Sequence, residues 1–322
     1  MTSGRGFSED MRLAHVLADQ ADSISMERFK ALDLQVETKP DLTPVTDADR
    51  AVEEQLRITL SRARTRDAVM GEEFGTTGHG SRKWVLDPID GTKNFVRGVP
   101  VWATLVALMD GDEAVVGLVS APALNRRWWA AKDVGAWTGR RLENATRCTV
   151  SGVRDLGDAS VSYSSLSGWE ERKALDGFLD LTRAAWRTRA YGDFWSYMLV
   201  AEGAVDIACE PEVSLWDLAA VDVIVREAGG RFTSLDGEDG PFGGHALATN
   251  GLLHDDVLAR LEKLGLAVAE PEAVDLAVGA DEFTVGVEHH RRVPQSTPLG
   301  AGFAGRQPGL EHRPLQIGRA HA

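Results

Sequence analysis

Apolar residues recur at helical spacing from Ser8 to Leu32, where Leu13, Leu17, Ile24 and Phe29 share one face of a predicted helix. Ser8 is placed to cap it, and Glu9 and Asp10 occupy the first turn, where the helix dipole favours negative charge. Pro40 and Pro44 predict an irregular segment, and a second helix begins after Thr46 with Val52, Leu56 and Leu60 spaced for burial. The period then shortens. Val69, Lys83–Leu86, Val101–Met109, Val115–Val119 and Arg127–Ala131 read as strands, with Asp110-Gly111 as a turn between two of them. Farther on, helix and strand alternate: helices over Glu170–Ala185, Trp195–Ala201, Leu218–Ala228 and His254–Leu264, and strands over Arg187–Ala190, Val205–Ala208 and Ala246–Thr249. Gly229-Gly230 supplies a glycine stop signal. The fold class this pattern predicts is α/β (α+β), layered, with mixed sheets.

The pattern fades after Gly265. Residues 289–322 hold five Arg and one Glu, are rich in Gly, Pro and His, and carry no sustained apolar period. This divides the chain into a folded unit, 1–264, and a C-terminal tail, 265–322, expected to be disordered.

Charge narrows the function. The net charge of −14 over 322 residues repels a polyphosphate backbone, so no nucleic-acid partner is expected. Two cysteines, Cys148 and Cys209, make no disulfide framework and suit a reducing compartment. The N-terminus lacks the apolar run of a signal peptide, and no uncharged apolar stretch is long enough to span a membrane. A cytoplasmic protein without a membrane partner is the expectation.

Four acidic clusters carry the candidate chemistry: Asp47 in PVTDAD, Glu72-Glu73 in GEEF, Asp87 and Asp90 in WVLDPIDGTKNF, and Asp217 in LWDLAA. Each also has a structural reading: Asp47 and Asp49 as helix caps, Asp-Pro and Asp-Gly as turns, Asp217 as a first-turn acid. Their combination favours chemistry. Asp87 ends a Trp-Val-Leu strand, Asp90 returns a second carboxylate three residues on, and Gly91 and Thr92 suit close approach of a phosphate. Carboxylates packed this closely raise one another's pKa unless a cation intervenes, and Mg²⁺ favours such oxygen ligands beside a substrate phosphate. No P-loop, GxGxxG, G-x-S-x-G or zinc-type Cys/His spacing competes.

With DPIDGTKNF, the upstream GEE and the downstream WD, the sequence resembles the inositol monophosphatase family of Mg²⁺-dependent, Li⁺-sensitive phosphatases from about Asp10 to Leu264. The resemblance implies a layered α-β-α-β-α sandwich working as a homodimer on a small phosphate monoester. It implies two or three Mg²⁺: one on Glu72, Asp87 and the backbone carbonyl of Ile89, a second on Asp87, Asp90 and Asp217, and a third placed with help from Glu72. Gly91 and Thr92 would meet the phosphate. Thr92 with Asp47 would orient the attacking water, so Asp47, Thr92 and Glu72 are the implied catalytic residues.

Specificity would lie where the pocket meets the alcohol. Inositol phosphatases typically place a small hydroxyl residue or Ala where this chain has Asp193, and Glu210 matches the family carboxylate that contacts the organic part. Two carboxylates suit a cationic alcohol. The YGDF stretch with KPDLTPVTDAD most closely resembles the histidinol-phosphate phosphatase branch, which implies hydrolysis of histidinol phosphate in histidine biosynthesis. Asp193 also reads as an N-cap ahead of Phe194, and Arg189 as a contact to substrate or partner subunit. The alternatives are an inositol-1-phosphate or broad sugar-phosphate phosphatase, and a non-catalytic regulatory protein on the same scaffold.

Overall fold

In the computed structural model, residues 7–40 and 42–265 are described. The expected tail, 265–322, lies outside them beyond Gly265. Helix α1 (Ser8–Arg28) opens the chain with Phe7 at the N-cap position, so Ser8 is its first residue rather than its cap. The helix stops short of Leu32, which is fully exposed. The segment around Pro40 and Pro44 is more regular than its prolines predict: β1 (Val36–Thr38) pairs antiparallel with β2 (Pro44–Thr46). Helix α2 (Asp47–Ala63) follows at once.

Eight strands form the first sheet: β3 (Ala68–Gly71), β4 (Gly75–Thr77), β5 (Arg82–Asp90), β6 (Ala103–Asp110), β7 (Glu113–Ala121), β8 (Arg126–Ala131), β9 (Gly135–Gly139) and β10 (Thr146–Arg147). The short helix α3 (Thr92–Arg97) interrupts the run after β5. From β5 to β10 the sheet is an antiparallel meander, and β3 pairs parallel with β5. Its central strands are apolar on both faces because both are covered. Trp84, Leu86, Val106, Leu108, Val116 and Leu118 pack with Leu17, Val52, Leu56 and Leu60 of α1 and α2. The alternate residues Val85, Leu105, Ala107, Val119 and Trp128 face the opposite side.

That opposite side receives α6 (Asp193–Ala201) and α7 (Leu215–Glu227), which also cover one face of a second sheet. The second sheet has the order β12-β11-β13-β15-β14, built from β11 (Ser160–Ser162), β12 (Arg187–Arg189), β13 (Ile207–Glu210), β14 (Arg231–Thr233) and β15 (Ala246–Thr249). Gly117 on β7 sets the spacing of α7. A side chain there would meet the carbonyl of Ala220 and Cγ1 of Val223, each at 2.5 Å. The predicted helix over Glu170–Ala185 is broken into α4 (Ser167–Glu171) and α5 (Leu175–Ala184), with Lys173 in the left-handed region at φ 59° between them. On the outer face of the second sheet, α5 and α8 (His254–Gly265) close a core around Val161, Ile207, Phe178, Leu181 and Val257. The layers therefore run α-β-α-β-α. Among the described residues no helix is long and apolar enough to cross a membrane.

Candidate active site

The end of β5 and the starts of α3, α6 and α7 converge on one cleft of about 950 Å³, with the start of α2 behind Thr92. Asp87 and Asp90 come from β5, where the ladder to β6 is irregular between them, and Asp217 comes from the first turn of α7. Their carboxylate oxygens lie within 4.8 Å of one another. Burial, then neighbouring carboxylates, pushes Asp87 and Asp90 well above the usual carboxylate range. Asp217 is pushed up to about 7, burial again being the main cause. These three acids cannot all be ionised without a cation.

Capping chemistry aims two acids here. Asp217 accepts the backbone N–H of Ser214 at 2.7 Å, the reciprocal half of a capping box at the start of α7. Asp49 does the same at α2: its Oδ2 accepts the Thr46 N–H at 2.8 Å, and its Oδ1 lies 3.3 Å from the Thr92 hydroxyl. Burial pushes Asp49 up to about 6. The Thr92 hydroxyl also lies 3.0 Å from the carbonyl of Ile89.

This corrects the pairing expected of Asp47. Asp47 is the first residue of α2 and turns away to the Arg28 guanidinium, 2.7 Å distant, while Asp49, at the third position of the helix, points back along its axis to Thr92. The Ser/Thr-x-x-Asp spacing of a capping box, present at both Thr46 and Ser214, is the signal that could have found it. A further residue outside the sequence reading is Lys39, whose ammonium donates to Glu72 at 2.7 Å and to Glu73 at 2.6 Å. Behind these acids, Glu53 accepts the backbone N–H groups of Glu73 and Phe74 and covers Gly71, so the GEE turn is fastened to α2.

Gly91 links the strand to α3 at φ 81°, and a side chain there would lie 3.1 Å from the carbonyl of Val101. Asp193 and Glu210 also line the cleft, Asp193 close beside Gly91. Asp193 does not cap α6. Gly192 holds the N-cap position, Asp193 follows it at φ 49°, and the Phe194 N–H donates instead to Asp90 at 2.7 Å. The Asp193 carboxylate accepts from the Asn94 amide at 3.0 Å, and burial beside Glu210 pushes it up to about 7. Glu210 accepts from the Tyr197 hydroxyl at 2.6 Å and from Ser164. Arg189 is not brought to the cleft: it lies exposed on edge strand β12 and donates to the carbonyl of Thr188 at 2.7 Å.

The donor set fits a hard divalent cation. It is all oxygen, and Asp87 Oδ1 is buried with no hydrogen-bond partner of its own among the described residues.

Over residues 8–266 the sequence matches the profile of the Inositol monophosphatase family. The chain belongs to that family. Among its relatives, a histidinol-phosphatase of Streptomyces coelicolor is 66% identical over 261 residues, covering 80% of this chain and 98% of the relative. A histidinol-phosphatase of Mycobacterium tuberculosis is 62% identical over 254 residues, covering 79% and 98%. The fold matches an IMPase of Thermotoga maritima with a TM-score of 0.72 at 28% identity, covering 80% of this chain and 99% of that one. An inositol monophosphatase of Zymomonas mobilis gives a TM-score of 0.71 at 30% identity, with the same coverage. The inositol monophosphatase fold expected from DPIDGTKNF is thus the fold observed.

Proposed function

We propose that the protein is a Mg²⁺-dependent histidinol-phosphatase, releasing phosphate from L-histidinol phosphate in histidine biosynthesis. The observation that carries this reading is one cleft that holds a carboxylate cluster with Asp193 and Glu210 beside it. Its two relatives at 66% and 62% identity support it.

Asp87, Asp90, Asp217, Glu72 and the Ile89 carbonyl would hold two or three cations. When bound, such ions stabilise negative charge on the oxygens of the ester. Gly91 and Thr92 receive the phosphate. The Thr92 hydroxyl, with Asp49 behind it, orients the water for in-line attack on phosphorus, and Asp49 is the acceptor toward which the water's proton moves. Water oxygen bonds to phosphorus as the ester bond breaks, and the leaving alkoxide takes up a proton as it departs. No covalent phosphoenzyme forms. Asp193 and Glu210 hold the ammonium and imidazole by charge-assisted hydrogen bonds.

Phosphate release from histidinol phosphate, inositol 1-phosphate and glycerol 2-phosphate tests the reading. The expected result is a kcat/KM highest for histidinol phosphate. Preference for inositol 1-phosphate would overturn the substrate, and no turnover of any ester with Mg²⁺ present would favour the non-catalytic alternative. A homodimer belongs to the same reading and is checked by light scattering on the eluting species.

A further inference from the structure

A second cavity, of about 600 Å³, lies beside α1 and shares no lining residue with the catalytic cleft. Four arginines line it, Arg126, Arg127, Arg140 and Arg141, in a chain whose net charge is −14. Two of them are already committed. Arg127 is held by Asp19 at 2.7 Å and by Asp22, and Arg126 pairs with Glu202 while lying 4.9 Å over the Trp128 ring. Arg140 and Arg141 differ. Their guanidinium groups have no carboxylate or hydrogen-bond partner among the described residues, although both face a cavity.

Both arginines are exposed and share the cavity with the Glu143 carboxylate, and two further observations bear on what it can hold. The turn that carries both arginines is tightly closed, since a side chain at Gly139 would come within 2.6 Å of the carbonyl of Asn144. His15, 8% exposed, lines the same cavity, packs edge-on against Trp129 and leaves Nε2 without a hydrogen-bond partner among the described residues. A buried polar atom without a partner is uncommon in a folded chain.

We infer that this cavity is a second, non-catalytic site for a small multi-oxygen anion, held by the paired guanidinium groups of Arg140 and Arg141 with the His15 ring in its wall. Guanidinium groups match such anions because their N–H groups form a planar fork. A phosphoryl group and a carboxylate offer the same acceptor geometry, so both are probed.

The test is calorimetric titration of the Mg²⁺-loaded full chain with inorganic phosphate and, in parallel, with citrate. Wild type is expected to show a binding event for one or both anions that R140A/R141A weakens at least about tenfold, the equivalent of one hydrogen bond to a charged group. Hydrolysis should be unchanged in kcat and KM in R140A/R141A, because neither arginine touches the catalytic cleft. Phosphate alone giving the event identifies a phosphoryl ligand, and citrate alone a carboxylate one. Isotherms identical in wild type and R140A/R141A would overturn the inference. So would an event whose loss in that variant comes with a raised KM, since that event would belong to the catalytic cleft. The comparison stands whichever ester the enzyme hydrolyses.

Discussion

Asp49 Oδ1 lies 3.3 Å from the Thr92 hydroxyl, while Asp47, two residues earlier on the same helix, is turned 2.7 Å from Arg28. The two acids should separate under mutation. Asp49→Asn is expected to lower kcat by about a hundredfold or more, the usual range for losing a positioned proton acceptor. Asp47→Asn, which removes a partly exposed ion pair, should change kcat by less than about fivefold. A large loss in Asp47→Asn with Asp49→Asn near normal would reverse the assignment.

Removing one carboxylate from the cluster should appear first as lost cation affinity. Asp90→Asn keeps an oxygen to accept the Phe194 N–H, so the start of α6 should persist. Calorimetry is expected to show weaker Mg²⁺ binding, and turnover should fall at least about a hundredfold. Wild-type Mg²⁺ affinity in a folded Asp90→Asn protein contradicts the cation-binding role.

Substrate choice should hinge on Asp193. A hydrogen bond to a charged group contributes about 1.5–3 kcal/mol, which corresponds to about 10- to 150-fold in kcat/KM. Asp193→Asn is expected to lose that factor on histidinol phosphate and to change glycerol 2-phosphate hydrolysis little. The Asn94 amide retains an oxygen to donate to, so the wall stays in place. Equal losses on both esters would make Asp193 a purely structural residue.

The buried His254 should withdraw stability on mild acidification, against the buried carboxylates, whose raised pKa values act the other way. His254 is fully buried between the Thr233 and Thr249 hydroxyls, 3.0 Å from each, and burial lowers its pKa to about 4. The unfolded chain takes up a proton near pH 6.5 and the folded chain does not, so the contribution is full above that pH and is lost as pH falls toward 4. The loss is on the order of 1–3 kcal/mol. Thermal unfolding at pH 7.5 and pH 5 checks it: the change on going to pH 5 should be less unfavourable in His254→Gln than in wild type. An identical change in both proteins assigns the effect elsewhere.

Long strands and helices were legible because their apolar periods were long. Val101–Met109 and Leu218–Ala228 bury most of their length, and the structure has β6 and α7 there. Short elements such as β11 and β14, three residues each, carry too few side chains to set a period and depend on pairing with distant strands. The break at Lys173 depends on a backbone conformation that its side chain does not advertise. In the site, Asp87, Asp90 and Asp217 were legible because each sits in a motif. The choice of Asp49 over Asp47 was not, since it turns on which residue begins α2. Arg189 does not line the cleft of its own chain, because sequence alone does not show which way an edge strand presents its side chains.

The capping boxes of α2 and α7 have an evolutionary reading. In each, one oxygen of the acid fastens the helix start while the other serves the site, at the Thr92 hydroxyl for Asp49 and in the carboxylate cluster for Asp217, so each acid carries two roles. A descendant of this fold that abandoned phosphate chemistry would still gain from keeping both, since losing a capping side chain costs about 1 kcal/mol. Their presence alone is therefore weak testimony of turnover. Asp87 is the more informative residue to follow among relatives: it caps no helix, and its buried, unpartnered oxygen is a burden to a chain that binds no cation.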